Sequence, residues 1–364
     1  MAAIDITPVL KFMTDKGGSD LFFSTNAAIH IDIEGETLPV NSQLMTPGMV
    51  KDIAYAIMSE AQIKEFESQL ECNFAIGRKD IGRFRVNVFR QRGEVGMVIR
   101  HIKTEIPSFE QLGLPPILKE LIMRKRGLIL MVGATGSGKS TSLASMIDYR
   151  NANETGHIVT IEDPIEFVYS HKKSIVDQRE VGIDTLSFDN ALKNAMRQAP
   201  DMILIGEVRD MESMKHALAY AETGHLCLAT LHANNANQAL ERVISFFPTD
   251  AKHGLLLGLS LNLVGIVSQR LVPAKTQKRA AAVEVMINTP YISELIVKQK
   301  LSEMKDVMAD SNDIGMITFD QSLFKLFSNG KISEDHALAN ADSRNDLSLK
   351  IRFTAESRAG GFGH

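Results

Sequence analysis

One short segment constrains this chain more than any other: Gly133-Ala134-Thr135-Gly136-Ser137-Gly138-Lys139-Ser140 matches the pattern G-x-x-x-x-G-K-S/T. It follows an apolar run at residues 128–132, which reads as a buried strand, and precedes residues 140–150, which read as a helix. Strand, glycine-rich loop and helix in that order make a phosphate cradle. The glycines let backbone N–H groups converge on phosphate oxygens, at the start of a helix whose dipole favours anions. Lys139 supplies a point charge and Ser140 a hydroxyl for Mg2+, so the implied ligand is a nucleoside triphosphate with Mg2+. The expected nucleotide-binding residues are Gly133, Thr135, Gly136, Ser137, Gly138, Lys139, Ser140 and Thr141. An ordinary glycine-rich turn with a solvated lysine would not require the strand before it and the helix after it.

Around this loop, apolar runs at residues 158–161, 202–205 and 226–230 read as strands, and residues 188–197, 211–221 and 236–247 read as helices between them. Continuous apolar strands separated by helices imply a mostly parallel sheet covered on both faces, an α/β core. Upstream, the alternation at residues 29–33 and 84–89, each close to a turn signal, predicts a small α+β domain. Pro107, Gly113, Pro115 and Pro116 then interrupt all periodicity. From residue 255 onward the pattern becomes mainly helical. Residues 255–267 are too short for the roughly 20 needed to cross a bilayer, and read as a buried helix. The predicted layout is an N-terminal α+β domain at 1–102, a linker at 103–116 and an ATPase-like core at 117–290. A helical region at 291–346 and a flexible tail at 347–364 follow, the tail ending in Gly360, Gly361 and Gly363.

Two acidic groups fit the phosphate chemistry. Residues 201–207 form an apolar strand that ends in Glu207, where a carboxylate could hold Mg2+ or its water, so Ser140 and Glu207 are the expected metal-side residues. Glu162, Asp163 and Glu166 follow the strand at 158–161, and Pro164 stops that strand from continuing. Hydrolysis needs a carboxylate to orient or deprotonate water, and these three are candidates; a solvated acidic turn is the competing interpretation. His225 and His232 bracket the strand at 226–230, where a lone histidine is more often structural than catalytic. Arg83, Arg85, Arg90 and Arg92 lie on one cationic strand. With period 2 the first two share one face and the last two the other. In an oligomer any of them could reach a neighbouring γ-phosphate, although a solvated basic face is the plainer interpretation.

Bulk composition narrows the partners. A chain of 364 residues with 44% hydrophobic and 23% charged residues should fold throughout, and its formal net charge of -4 gives no global field for nucleic acid, so none is expected. Cys72 and Cys227 are too few and too distant for a disulfide framework or a zinc site, which fits a reducing cytoplasm. The first 20 residues lack the basic start and apolar stretch of a signal peptide.

Four boxes occur in order: the phosphate loop, TIEDPIEF at 160–167, ILIGEVRD at 203–210 and GHLCLATLHANN at 224–235. Together they resemble the secretion-type ATPase superfamily, where they are known as Walker A, Asp box, Walker B and His box. Lys16-Gly17-Gly18-Ser19-Asp20-Leu21 and GRFRVNVFRQR at 82–92 are similar to the pilus retraction branch, the PilT/PilU family, and no four-cysteine zinc module of the extension and secretion branch is present. Retraction motors of the PilT type carry an AIRNLIRE motif in their C-terminal helices. Residues 290–298 here keep its apolar positions and lack its arginines, which places the resemblance nearest the PilU branch of accessory retraction ATPases.

The resemblance implies a PAS-like N-terminal α+β domain, a RecA-like P-loop ATPase core and a helical C-terminal region. It implies ATP and Mg2+ as cofactors, a homo-hexameric ring with the active site between the two domains, and type IV pilus retraction or twitching motility as the function. The implied partners are a related retraction ATPase and an inner-membrane platform protein, with the chain cytoplasmic and peripheral at the inner-membrane face. In that setting Glu166 or Glu162 prepares the water, His225 and His232 couple phosphate state to motion, and arginines among Arg83, Arg85, Arg90 and Arg92 act between domains or subunits. The competing functions are a pilus-extension or type II secretion ATPase and a nucleotide-binding scaffold for a partner motor.

Overall fold

The apolar runs condense into two sheets. The computed structural model describes residues 5–276 and 278–359, with side chains as far as Thr354. The chain divides into one unit of Met1–Glu105, Ile165–Val168 and Gly182–Leu186, and another of Ile106–Pro164, Tyr169–Val181 and Ser187–His364. The crossing at Glu105 falls inside the segment anticipated as a linker. The two short returns at 165–168 and 182–186 had no compositional mark.

In the first unit, β1 (Asp20–Phe23), β2 (His30–Ile33), β3 (Glu36–Pro39), β4 (Glu71–Arg78), β5 (Gly82–Gln91) and β6 (Glu94–Ile102) form an antiparallel sheet in the order β3-β2-β1-β6-β5-β4. The helices α1 (Thr7–Asp15), α2 (Met49–Ile57) and α3 (Glu60–Gln69) share its core. Strict alternation in β5 sends Phe84, Val86 and Val88 into that core, where they join Leu10, Val50, Ile53 and Phe66, and leaves Arg83 and Arg85 on the opposite face. Ser59 and Gln62 cap α3 reciprocally, each side chain bonded to the other's backbone N–H, which fixes where the helix starts.

In the second unit, α4 (Phe109–Leu112) and α5 (Ile117–Ile122) lead into a seven-stranded sheet. Its strands are β7 (Gly127–Val132), β8 (Gly156–Glu162), β9 (Ser174–Glu180), β10 (Met202–Ile205), β11 (Leu226–Leu231), β12 (Leu263–Pro273) and β13 (Arg279–Ile287), in the order β13-β12-β7-β11-β10-β8-β9. All neighbours are parallel except β12 and β13. Every residue of β7 and β10 is buried, as a strand covered on both faces requires. The covering helices are α6 (Lys139–Asn153), α7 (Phe188–Ala195), α8 (Met211–Glu222), α9 (Ala236–Ser245), α10 (Lys252–Asn262), α11 (Pro290–Val297) and α12 (Met304–Asp310). The helices α13 (Phe319–Ser328), α14 (Glu334–Ala339) and α15 (Arg344–Ala359) build a separate core on β12 and β13, with Phe319, Leu323 and Ile332 packed on Val272 and Ala282.

Three local expectations are corrected. The apolar run at 255–267 is a helix only to Asn262; β-branched Val264, Ile266 and Val267 then continue as strand beside β7. The region after it opens with the β12–β13 hairpin before turning helical. Residues 347–359, anticipated as a flexible tail, are helical, because Leu347 and Ile351 are one turn apart and both buried in the C-terminal core. Residues 360–364 lie outside the described residues.

Candidate active site

The phosphate loop leaves the middle of the parallel sheet. Val132 ends β7 opposite Leu231 of β11, so Gly133 and His232 emerge side by side at the C-terminal tips of adjacent strands. Gly136 and Gly138 have φ of 75° and 84°, values that suit glycine, and a Cβ at Gly138 would lie 2.8 Å from Gln269 Nε2. Lys139 opens α6 and donates through Nζ to the Gly133 and Ala134 carbonyls at 2.7 and 3.0 Å, folding back over the loop. Ser137 Oγ is buried without a hydrogen-bond partner beside Gly133. A cleft of about 280 Å3 is lined by residues 133–137 together with Asn234, Gln269, Arg270, Leu271 and Arg279. An unpartnered hydroxyl, a lysine curled over carbonyls and a glycine cradle at a helix start fit the phosphates of a nucleotide.

The carboxylates sit on the neighbouring tips. Gly206 N–H donates to Ile161 O and Val208 N–H to Thr230 O, both at 2.8 Å, which clamps Glu207 between β8 and β11. Gly206 is required there, since a Cβ would meet Ile161 O at 2.9 Å. Glu207 Oε2 accepts from Arg209 Nε at 2.7 Å, and Glu207 Oε1 lies 3.3 Å from His232 Nε2. Arg209 also reaches Asp163 Oδ2 at 3.5 Å, and its pairing with Glu207 raises its already high pKa. Thr160 Oγ1 donates to Glu162 Oε1 at 2.6 Å and Gln178 Nε2 to the same oxygen at 3.2 Å, so Glu162 leans toward β9. Oxygen donors from Ser140 and Glu207 are the hard ligands that Mg2+ prefers.

The sequence candidates therefore separate. The phosphate loop, Glu207, His232 and Asp163 converge on the strand tips of the second unit. His232 also shares a cleft of about 490 Å3 with Ala134, Glu241 and Arg242. His225 sits before β11, seven residues and roughly 23 Å away at the other end of the strand, where its Nδ1 lies near Thr223 Oγ1 and Tyr220 O. Glu166 belongs to the first unit, in a segment tied to Lys103 through the bridge at Phe167. Of the arginines, Arg90 pairs with Glu67 at 3.3 Å and stacks over Phe66, and Arg92 lies in the hairpin turn with φ of 49°. Arg83 and Arg85 remain on the outer face of β5, with Arg83 Nε buried and unpartnered. In that register Arg90, not Arg83, falls on the core face, and Arg92 is outside the strand.

Several site residues were not foreseen. Gln269, 2% exposed, donates to Ser137 O at 2.9 Å and accepts from Ser142 Oγ at 2.7 Å, bracing the phosphate loop from β12. On the other face of the same strand, Ser268 Oγ donates to Glu284 Oε1, which also accepts from the Ala236 N–H that opens α9. Burial pushes the Glu284 carboxyl up to about 7, Asp342 adding to the effect and the two hydrogen bonds and Arg270 opposing it. Arg270 donates to Asn234 O, Asn340 O and Asp342. Reading this stretch as helix hid all of these.

The family model described as type II/IV secretion system protein matches residues 2–312. The type IV pilus ATPase PilU of Pseudomonas aeruginosa is 53% identical over 357 residues, 98% of this chain and 94% of that protein. The type IV pilus retraction ATPase PilT of the same organism is 41% identical over 93% of this chain and 98% of its own length. The crystal structure of the pilus retraction motor PilT with bound ADP superimposes with a TM-score of 0.88 at 41% identity, covering 95% of this chain and 99% of that one.

Proposed function

Because the chain belongs to the type II/IV secretion system protein family, we propose that it is an ATP-hydrolysing motor subunit that drives or assists type IV pilus retraction, as an accessory to a main retraction ATPase. The observation that carries this is the phosphate loop opening α6 beside Glu207 and His232 on adjacent strand tips. In this reading the loop N–H groups, Lys139 and Thr141 bind the nucleotide phosphates, and Ser140 and Glu207 hold Mg2+, which supplies charge neutralisation at the β- and γ-phosphates. His232 orients Glu207 through the 3.3 Å contact and marks the γ-phosphate side. Asp163 and Glu162 stand at the same sheet edge to orient water, and Glu166 and Arg83 or Arg85 act across a ring of six protomers. The accessory role is supported by α11, which occupies the place of the arginine-bearing motif and presents no arginine.

Deleting the gene and counting surface pili tests the direction of the motor. Loss of a retraction function leaves cells piliated but impaired in twitching, and loss of an extension function leaves them bald. Complementation by the wild-type chain and not by Lys139→Ala is expected; a bald deletion strain overturns the retraction reading.

A further inference from the structure

Arg209 follows Glu207 by two residues and stands between two acidic strand tips. Its Nε donates to Glu207 Oε2 at 2.7 Å, its NH1 nitrogen lies 3.5 Å from Asp163 Oδ2, and its Cζ lies 5.7 Å from the centre of the Phe188 ring. With His232 on Oε1, both oxygens of Glu207 have partners in the protein alone. The guanidinium bridges the two carboxylates and holds them aligned through charge-assisted contacts. A divalent metal ion performs the same task with twice the charge and a preference for the same hard oxygens.

We propose that Arg209 is a placeholder cation: it pairs with a Glu207 oxygen that Mg2+ would take, and gives that oxygen up when Mg2+ enters with the nucleotide. This rests on the nucleotide reading above and adds a residue that regulates it. The His232 contact is longer, and only the guanidinium carries a fixed positive charge, so Arg209 is the group that opposes a metal. Its side chain is 52% exposed, so it leaves Oε2 without disturbing the core. Asp163 and the Phe188 ring remain as anchors about which it pivots. An exposed ion pair of this kind is weak enough to exchange within the working cycle.

The test is Mn2+ binding by the full chain in the presence of ADP, followed by electron paramagnetic resonance, for wild type, Arg209→Gln and Arg209→Lys. The glutamine variant should hold Mn2+ about fivefold more tightly, the equivalent of the ~1 kcal/mol of one exposed ion pair, and the lysine variant should stay near wild type. Equal or weaker Mn2+ binding by Arg209→Gln, with metal-free ADP affinity unchanged, overturns the proposal and leaves the nucleotide reading standing. Melting in the absence of metal separates a strut from a placeholder: a strut lowers the melting temperature and leaves Mn2+ affinity unmoved. If neither wild type nor variant holds Mn2+ beyond what ADP holds in buffer, the nucleotide reading fails and the proposal with it.

Discussion

At the residue scale, the proposed hydrolysis rests on Lys139 and Glu207. Lys139 donates to two carbonyls of its own loop, an arrangement that a bound phosphate would replace with stronger charge-assisted bonds. Lys139→Ala should lower ATP turnover by at least about a hundredfold, as removal of a phosphate-stabilising group does elsewhere, checked by steady-state phosphate release. Glu207→Gln should keep affinity for a fluorescent ADP analogue within a few-fold while turnover collapses, because the amide keeps the shape and loses the charge. Both residues were legible, since each lies at a fixed offset within a strand-and-loop pattern. Arg209 was not: it stands in the ILIGEVRD box, but sequence does not say which carboxylates the fold brings within one guanidinium.

Between elements, β12 braces the phosphate loop and the start of α6. Gln269 faces the phosphate loop, and Ser268 and Arg270 face the loop after β11 and the C-terminal helices, so one strand braces both sides of the site. Gln269→Leu strands a buried carbonyl and a buried hydroxyl, and should cost on the order of 2 kcal/mol in urea unfolding and weaken ADP binding. Glu284 makes a pH-dependent contribution of defined sign. Its carboxyl titrates at about 7 in the fold, above its ordinary value of 4.5, so between those limits the folded state holds a proton that the unfolded state releases. Stability from this group is fully present below 4.5 and is lost as pH rises toward 7. Glu284→Gln should match wild type at pH 5 and exceed it at pH 8 by on the order of 1 to 3 kcal/mol; a difference independent of pH would refute the assignment. This part of the fold escaped sequence reasoning for a physical reason. Residues 255–262 and 263–267 are equally apolar, and only the β-branched Val264, Ile266 and Val267 mark where helix gives way to strand. β9 was hidden too, because Asp177, Gln178 and Arg179 break the apolar run of a strand at the sheet edge.

At the scale of the whole molecule, the order of boxes along the chain made the α/β core readable, since each box falls at a strand tip that a parallel sheet must bring to one edge. The chain passes from the first unit to the second beside the proline cluster, and returns to the first at 165–168 and 182–186 without any change in composition. Among the described residues no helix is long and apolar enough to cross a membrane. The ring of six is a proposal that sedimentation of the nucleotide-bound chain tests, with a monomer under all nucleotide conditions as the contrary result. The central claim is hydrolysis, and the most direct measurement is phosphate release by the purified chain with Mg2+ and ATP, alone and mixed with a PilT-type retraction ATPase. The account predicts Mg2+-dependent release that Lys139→Ala removes from this chain's contribution, either alone or once the partner is added; no release above the partner's own rate in either condition would contradict it.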